Sequence, residues 1–210
     1  MTSTIGAAVF ASGEGTNAEA LVRHAQTRPD ALAIPCGITD QPRAGVIARL
    51  SGLGVPVHVL PFARRASETV TEAKASHEAA ILGKLAPYAV EWIFLAGYMR
   101  ILSSDFVSRF VRPGEPRSRI LNIHPALLPE FPGLDAYRRA FRAGVPRSGV
   151  TVHFVDAGVD TGPILLQRTF PRLPGDTLES FIARGKTLEH TLYAEAVDRV
   201  IRGAPIRWPP

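Results

Sequence analysis

In Leu121-Asn122-Ile123-His124-Pro125-Ala126-Leu127-Leu128-Pro129, two polar side chains stand at the end of a predicted strand. Because side chains alternate between the faces of a strand, Asn122 and His124 share one side while their apolar neighbours point toward the core. Pro125 cannot donate a ladder hydrogen bond, so pairing ends directly after the pair. An amide donor beside an imidazole suits a reaction at a carbonyl carbon. The alternative is a strand end with two hydrogen-bonded polar residues and no chemistry.

Short apolar runs alternate with amphipathic segments through the first half of the chain. Continuous apolar strands separated by helices indicate a parallel sheet that is buried on both faces. The strand with Asn122 and His124 then ends at the carboxyl edge of this sheet, where ligands bind in open α/β proteins. The predicted strands are 5–11, 31–38, 55–60, 92–96 and 119–123, and the predicted helices are 16–26, 43–53, 67–85 and 103–110.

The second half of the chain changes character. A helix over 134–143 is followed by an alternating strand over 149–155, a turn-rich loop over 156–162 and a partner strand over 163–170. A final long helix over 177–201 is expected to be capped near Asp176. The sequence thus predicts a Rossmann-like, doubly wound α/β fold: a mostly parallel sheet with an antiparallel C-terminal strand pair and a long C-terminal helix. With no clear linker, residues 1–210 are expected to form a single domain with halves of about 1–100 and 101–210.

Composition narrows the function classes. The 210 residues are 46% hydrophobic and 20% charged, with a net charge of +5 and a pI of about 9.9, which favours anionic small molecules. The basic residues are scattered outside 109–119 and lack interleaved aromatics, so nucleic acid is not an expected partner. A single cysteine, Cys36, and the lack of a basic leader or a long apolar run predict a cytoplasmic protein without a membrane anchor. The expected assembly is a monomer or homodimer.

A glycine-rich loop joins the first predicted strand to the first predicted helix and reads Ser12-Gly13-Glu14-Gly15-Thr16-Asn17. Glycines let the main chain approach an anion, and the helix N-terminus supplies N–H groups and a positive dipole end. Thr16 or Asn17 is expected to cap the helix and to touch the ligand. The loop therefore predicts a phosphate site in the N-terminal half, and a turn without a ligand is the alternative.

The same loop also matches the dinucleotide fingerprint as Gly13-x-Gly15-x-x-Ala18, with Asp40 ending the second strand where a ribose would bind. An NAD(P)-dependent oxidoreductase is thus an alternative from a different class. It accounts for the glycines and Asp40 but leaves Asn122 and His124 unexplained. A non-catalytic nucleotide-binding module is a third possibility, with the same weakness.

Asp160 lies in the loop before the last predicted strand. A carboxylate beside His124 would raise the imidazole pKa and stabilise the imidazolium. A turn aspartate ahead of Gly162 is the other interpretation. His153, in an alternating strand, is expected to be a packed, hydrogen-bonded residue. His, Cys and Asp residues with metal-ligand spacing are missing from the sequence, so no metal is expected.

Taken together, these motifs resemble the folate-dependent formyl-transfer enzymes. The Asn-x-His-Pro segment with the later Asp-x-Gly loop is similar to the whole family, and the other motifs are similar to its glycinamide ribonucleotide branch. The resemblance covers essentially the entire chain. It rests on residues 12–17, 95–102, 121–129, 131–134, 151–162 and 173–177, which occur in one order.

The resemblance implies a small-molecule reaction: a formyl group moves from 10-formyltetrahydrofolate, a co-substrate, to the amine of 5-phosphoribosylglycinamide in purine biosynthesis. It implies a charged His124 that stabilises the oxyanion and shuttles the proton. The site residues that it implies are Asn122, His124 and Asp160 for catalysis, Gly15, Thr16, Asn17 and Glu189 for the phosphoribosyl substrate, and Lys74, Met99, Arg100, Ile101, Leu102 and Asn122 for folate.

Three features depart from the family pattern. Lys74 stands where an arginine is usual, Tyr137 stands where many members have histidine, and residues 112–119 form an extra basic loop. Lysine keeps the charge but loses the planar fork of arginine. Within the family, water as acceptor would make the chain a formyltetrahydrofolate hydrolase, and another amine would make it a different formyltransferase. Hydrolases usually carry an additional N-terminal domain, which is not expected for this sequence.

Overall fold

The computed structural model describes residues 4–202, and the chain divides into two compact units, residues 1–120 and 121–210. In the first unit, strands β1 (Ile5–Phe10), β2 (Leu32–Thr39), β3 (Val57–Val59) and β4 (Trp92–Leu95) pair in parallel in the order β3-β2-β1-β4. This order places a topological switch point between β1 and β4, since the chain leaves β1 toward β2 and later returns on the other side.

The helices of the first unit connect these strands. They are α1 (Thr16–Gln26), α2 (Gly45–Ser51), α3 (Val70–Leu85) and α4 (Ser104–Ser108). Residues 7–10 of β1 and all of β4 are buried, as expected for strands that are covered on both faces. Large side chains such as Phe10, Phe94 and Phe106 are at most 1% exposed. Burial of each contributes about 1.5–3 kcal/mol to stability.

The second unit contains antiparallel strands. β5 (Ile120–His124) pairs with β6 (Arg147–Phe154), which pairs with β7 (Ile164–Pro171). Helix α5 (Ala136–Arg142) lies between β5 and β6 in sequence, and the long helix α6 (Leu178–Ile201) follows β7. The predicted fold class is confirmed: parallel strands alternate with helices first, and antiparallel strands and a long helix follow.

Several predicted helix ends were wrong by up to three residues, and capping explains the start of α3. Helix α3 begins at Val70 and not at residue 67, because Thr69 and Glu72 form a capping box. Helix α6 is capped by Thr177. This agrees with the predicted cap near Asp176 to within one residue, and the Asp176 carboxylate itself binds the Arg184 guanidinium through two contacts of 2.7 Å.

The extra basic loop packs against acidic side chains of its own unit. Arg119 contacts Glu115 at 2.6 Å and Glu91 at 3.1 Å, and Arg112 also contacts Glu91. Its positive charge is thereby partly neutralised. Within residues 4–202, no helix is long and apolar enough to cross a membrane.

Candidate active site

Register in the second unit places the predicted polar pair beside the neighbouring strand. Asn122 lies opposite His153, and His124 lies opposite Thr151. The side chain of His124 is 5% exposed, so its imidazole is held in a largely dry environment. The loop between β6 and β7 then brings Asp160 to the same place.

Asp160 joins the two residues that the sequence singled out. Its Oδ2 lies 3.2 Å from His124 Nδ1, and its Oδ1 accepts a hydrogen bond from Asn122 Nδ2 at 3.3 Å. The main-chain N–H of Gly133 also donates to Oδ2 at 2.8 Å. Asp160 itself has a φ of 55°, a left-handed conformation that is uncommon outside glycine. The chain therefore adopts a strained turn that aims this carboxylate at His124.

The carboxylate of Asp160 is held in its charged form. Burial alone would raise the pKa of Asp160, but contacts from His153, from the Gly133 N–H and from the nearby His124 outweigh it and lower the pKa to about 2. A permanent negative charge thus faces His124 throughout the neutral range.

His124 is more nearly neutral than the sequence suggested. Burial lowers the pKa of His124 below its ordinary value, although the Phe131 carbonyl and the Asp160 carboxylate both raise it. Asp160 acts in the predicted direction, but the cost of burying an imidazolium is larger. The ring faces two acceptors, because its Nε2 lies 2.9 Å from the Phe131 carbonyl oxygen. A proton gained by His124 would therefore find a partner on either nitrogen.

His153 is buried and hydrogen-bonded, as the sequence predicted, but its place in this cluster was not predicted. Its Nδ1 lies 2.8 Å from the Phe154 carbonyl oxygen, which fixes the proton on Nδ1 in the neutral ring. Its Nε2 then accepts a hydrogen bond from Asn122 Nδ2 at 3.1 Å and lies 3.5 Å from Asp160 Oδ1. The cross-strand register of β5 and β6 was the signal that could have identified it.

The glycine-rich loop of the first unit leads into α1, which begins at Thr16. Gly15 is the N-cap, with a φ of 77°, and a Cβ atom there would lie 2.5 Å from the Val46 Cβ. The prediction that Thr16 or Asn17 caps the helix was wrong: in the described part of the chain, no side chain hydrogen bond caps it. The helix end and its dipole are thus presented by the main chain, as anion sites require.

The carboxylate of Asp40 is not available to accept hydrogen bonds from a ribose. Its side chain is 2% exposed, and it binds Ser12 Oγ at 2.5 Å and Gln41 Nε2 at 2.9 Å, with Arg100 NH1 at 3.5 Å. The acidic residue of the dinucleotide fingerprint is therefore engaged within the protein, which weakens the oxidoreductase interpretation.

The first unit also contains a cavity of about 280 Å³ that brings Lys74 together with the predicted folate segment. Met99 and Ile101 are 60% and 57% exposed, whereas Leu102 is buried. Exposed apolar side chains beside a cavity suit a flat, partly apolar ligand. The residues that line the cavity include Phe62, Lys74, Met99, Arg100, Ile101 and Leu102.

Glu189 lies on α6 and is buried within the second unit. Its Oε1 accepts a hydrogen bond from the Tyr137 hydroxyl at 2.6 Å. Burial and the neighbouring Glu189 raise the pKa of Tyr137, which remains a hydrogen-bond donor at all ordinary pH values. Gly185 makes room for this ring, because a Cβ there would lie 2.3 Å from the Tyr137 hydroxyl. The carboxylate is thus fixed by a tyrosine that departs from the family pattern.

Metal ligation is not suggested by the described side chains. Within residues 4–202, His, Cys, Asp and Glu do not form a group of three or more that could hold a metal ion. Every polar contact of the cluster around Asp160 is instead a hydrogen bond or an ion pair within the protein.

Comparison with known proteins assigns these features to one family. A family model described as "Formyl transferase" matches residues 6–197. A phosphoribosylglycinamide formyltransferase of Bacillus subtilis is 39% identical over 194 residues, covering 92% of this chain and 93% of that protein. A trifunctional purine biosynthetic protein adenosine-3 of Drosophila pseudoobscura pseudoobscura is 37% identical over 94% of this chain, which spans 14% of that longer protein.

Solved structures give the same picture. The phosphoribosylglycinamide formyltransferase of Streptococcus pneumoniae superposes with a TM-score of 0.81 at 37% identity, covering 94% of this chain and 99% of that chain. The enzyme of that name from Brucella melitensis gives a TM-score of 0.82 at 40% identity, covering 94% and 96%.

Proposed function

The chain belongs to the formyl transferase family, and we propose that it transfers a formyl group from 10-formyltetrahydrofolate to the amine of 5-phosphoribosylglycinamide in purine biosynthesis. The observation that carries this proposal is the convergence of Asn122, His124 and Asp160 in one partly buried cluster, with contacts of 3.2 and 3.3 Å to the carboxylate. The oxidoreductase and binding-module alternatives give this cluster no role.

The reaction begins when the glycinamide nitrogen attacks the formyl carbon and forms a tetrahedral oxyanion. Asn122 donates to that oxygen. Asn122 Nδ2 lies 3.3 Å from Asp160 and 3.1 Å from His153. The contact with Asp160 is the longer of the two, so the N–H that points to Asp160 is the one that can turn to the substrate oxygen. The bond between the formyl carbon and N10 of folate then breaks.

His124 moves the proton. The lowered pKa leaves His124 neutral and able to accept the proton of the attacking amine, and Asp160 stabilises the resulting imidazolium. The imidazolium then gives the proton to the departing folate nitrogen. The role of His124 is accordingly that of a neutral base that becomes charged during turnover, and not of a residue that is charged beforehand.

The binding residues are assigned by their surroundings. Gly15, Thr16 and Asn17 hold the substrate phosphate at the N-terminus of α1, where the helix dipole favours a negative charge. Met99, Arg100, Ile101 and Leu102 hold the folate with Lys74, whose ammonium is suited to a folate carboxylate. Glu189 binds the glycinamide portion of the substrate, and Asn122 also contacts the formylated folate.

We infer that residues 1–210 act as a single formyltransferase domain on small molecules in the cytoplasm, as a monomer or a homodimer. The one cysteine, Cys36, is buried, and burial raises its pKa to about 11, so it has little thiolate character. This behaviour is that of a packed apolar residue and is compatible with a reducing compartment.

The test is a formyl-transfer assay with purified protein, in which the absorbance of the deformylated folate is followed with and without 5-phosphoribosylglycinamide. Release of folate only in the presence of the acceptor supports the proposal. Release without the acceptor would identify a hydrolase, and release with a different amine would identify another formyltransferase. Mass spectrometry of the purified protein would detect a bound nicotinamide if the oxidoreductase alternative were correct.

A further inference from the structure

Three strand ends of the first unit meet at one buried carboxylate. Asp40 follows β2, Ser12 follows β1, and Arg100 belongs to the segment after β4. The side chain of Asp40 is 2% exposed, and its contacts with Ser12, Gln41 and Arg100 join all three segments. Burying a carboxylate is costly unless its oxygens are paired, so this position is held by specific contacts.

The first oxygen of Asp40 holds Ser12. Ser12 Oγ donates to Asp40 Oδ1 at 2.5 Å and accepts from the Met99 N–H at 2.9 Å. The Ser12 N–H also donates to the Gly97 carbonyl oxygen at 3.0 Å. Ser12, the first residue of the glycine-rich loop, is therefore bound through its side chain and main chain to the segment that lines the cavity.

The second oxygen of Asp40 holds Arg100. Arg100 NH1 lies 3.5 Å from Oδ2, and the guanidinium carbon lies 3.8 Å from the centre of the Phe62 ring. Gln41 Nε2 donates to the same oxygen at 2.9 Å. The ion pair and the stacking together fix the guanidinium as one wall of the cavity.

We propose that Asp40 is a positioning residue that couples the phosphate loop to the folate pocket, through Ser12 on one side and Arg100 on the other. The inference rests on the proposed function, which assigns the loop and the pocket to the two substrates. We expect each substrate to strengthen the binding of the other, and linkage requires that the factor is the same in both directions.

Substitutions of Asp40 can test the contacts of its two oxygens separately. Asp40→Asn keeps an oxygen that can accept from Ser12 Oγ but removes the charge that faces Arg100. We expect this variant to raise the folate KM by about fivefold to tenfold and to raise the nucleotide KM by a smaller factor, because on the nucleotide side only the shared coupling is lost. Asp40→Ala removes both contacts and raises both KM values, while kcat at saturation stays within about threefold because the cluster around Asp160 is intact.

The experiment compares the steady-state constants of the wild type, Asp40→Asn, Asp40→Ala and Ser12→Ala. Ser12→Ala removes the hydroxyl that joins Asp40 to the loop and accepts from the Met99 N–H. Both KM values are expected to rise, while the charge of Asp40 remains opposite Arg100. Glu115→Gln is the control, since it removes a carboxylate from an ion pair of the same unit, with Arg119, away from the loop and the pocket.

Calorimetry supplies a second readout. Tetrahydrofolate is titrated into each protein with and without 5-phosphoribosylglycinamide, a pair that binds but cannot react. The wild type is expected to bind tetrahydrofolate more tightly when the nucleotide is present, and Asp40→Ala is expected to lose this enhancement. If Asp40→Ala does not fold, Asp40→Asn and Ser12→Ala carry the test.

Equal KM changes for both substrates in Asp40→Asn, or an unchanged coupling factor in Asp40→Ala, would overturn the inference. A lowered melting temperature with unchanged KM values would also overturn it and assign Asp40 a purely structural role. A wild-type protein without any formyl transfer would instead refute the proposed function, so the two failures are distinguishable.

Discussion

The phosphate loop of the first unit and the catalytic cluster of the second are built from different parts of the chain. The loop relies on the main chain: Gly15 adopts a left-handed conformation, and α1 presents its N-terminus without a side-chain cap within the described residues. The cluster relies on side chains, and His124, Asp160 and His153 are each at most 10% exposed. Binding of an anion can thus depend on backbone geometry, whereas proton transfer and oxyanion stabilisation depend on individual functional groups.

The largest effect is expected from the reacting side chains. Asn122→Ala and His124→Ala should each lower kcat by on the order of a hundredfold or more, because an oxyanion donor or the proton carrier is lost. The nucleotide KM should change little in both variants, since the loop is untouched, and the folate KM should change little in His124→Ala, since the cavity is untouched. His58→Gln is the control, as His58 pairs with Tyr88 in the first unit. Near-wild-type kcat in both alanine variants would show that this cluster is not the reacting site.

Much of the first unit followed from local sequence, because a strand, a glycine loop and a helix are adjacent in the chain. Apolar runs located β1, β2 and β4 to within one or two residues.

The helix starts were less well predicted, because neighbouring residues compete as caps. Asp176 and Thr177 are both good cap residues, and the choice depends on Arg184, eight positions away, which binds Asp176.

The cluster of the second unit could be predicted only in part. Alternation placed Asn122 and His124 on one face, and the family resemblance supplied Asp160. The position of His153 depends on the register of β5 with β6, and the carbonyl that contacts His124 belongs to Phe131, a residue with a left-handed φ of 51°. The net lowering of the His124 pKa also depends on burial, which no local pattern reveals.

The second prediction concerns the charge of Asp160. Asp160→Asn should lower kcat/KM at neutral pH by about tenfold to a hundredfold, because a hydrogen bond to a charged partner is lost. The acid limb of the pH profile should also move. Since Asp160 raises the pKa of His124, its removal lowers that pKa further, and the limb shifts to lower pH.

The measurement is kcat/KM between about pH 4.5 and 8, where a neutral His124 is the active base. In the wild type, the limb should lie below the ordinary histidine pKa of about 6.5. Asp156→Asn is the matched control from the same loop, because Asp156 accepts hydrogen bonds from the Gly158 N–H and Thr161. A limb that moves to higher pH in Asp160→Asn would contradict the assigned base.

The third prediction tests the main-chain character of the loop. Gly15→Ala should raise the nucleotide KM by about tenfold, because left-handed geometry costs an alanine about 1–2 kcal/mol and its Cβ would also press on Val46. The folate KM should change less. Gly54→Ala introduces the same backbone strain at a φ of 76°, far from the loop in sequence, and should lower only the melting temperature. Equal rises in both KM values would place the phosphate elsewhere.

The fourth prediction concerns His153, whose Nε2 orients the Asn122 amide. His153→Leu should lower kcat by about threefold to tenfold through loss of this acceptor, with both KM values unchanged. His153→Gln provides a side-chain oxygen that can accept the same hydrogen bond and should recover part of the loss. If the leucine and glutamine variants were equally slow, packing rather than the hydrogen bond would explain the effect.

The smallest effect is expected at Lys74, a lining residue of the cavity. Lys74→Met should raise the folate KM by up to about fivefold, because an ion pair near the surface is worth at most about 1 kcal/mol, and the effect should shrink at high salt. Lys74→Arg keeps the charge and should stay within about twofold. Lys84→Met, on the same helix α3, is the matched control. If Lys84→Met produced the same change as Lys74→Met, the effect would belong to the overall charge of the unit. If only Lys74→Met raises the folate KM, the Lys74 ammonium contacts a folate carboxylate. An anion is then bound in the cavity by a side-chain charge, whereas the loop binds an anion through its backbone geometry.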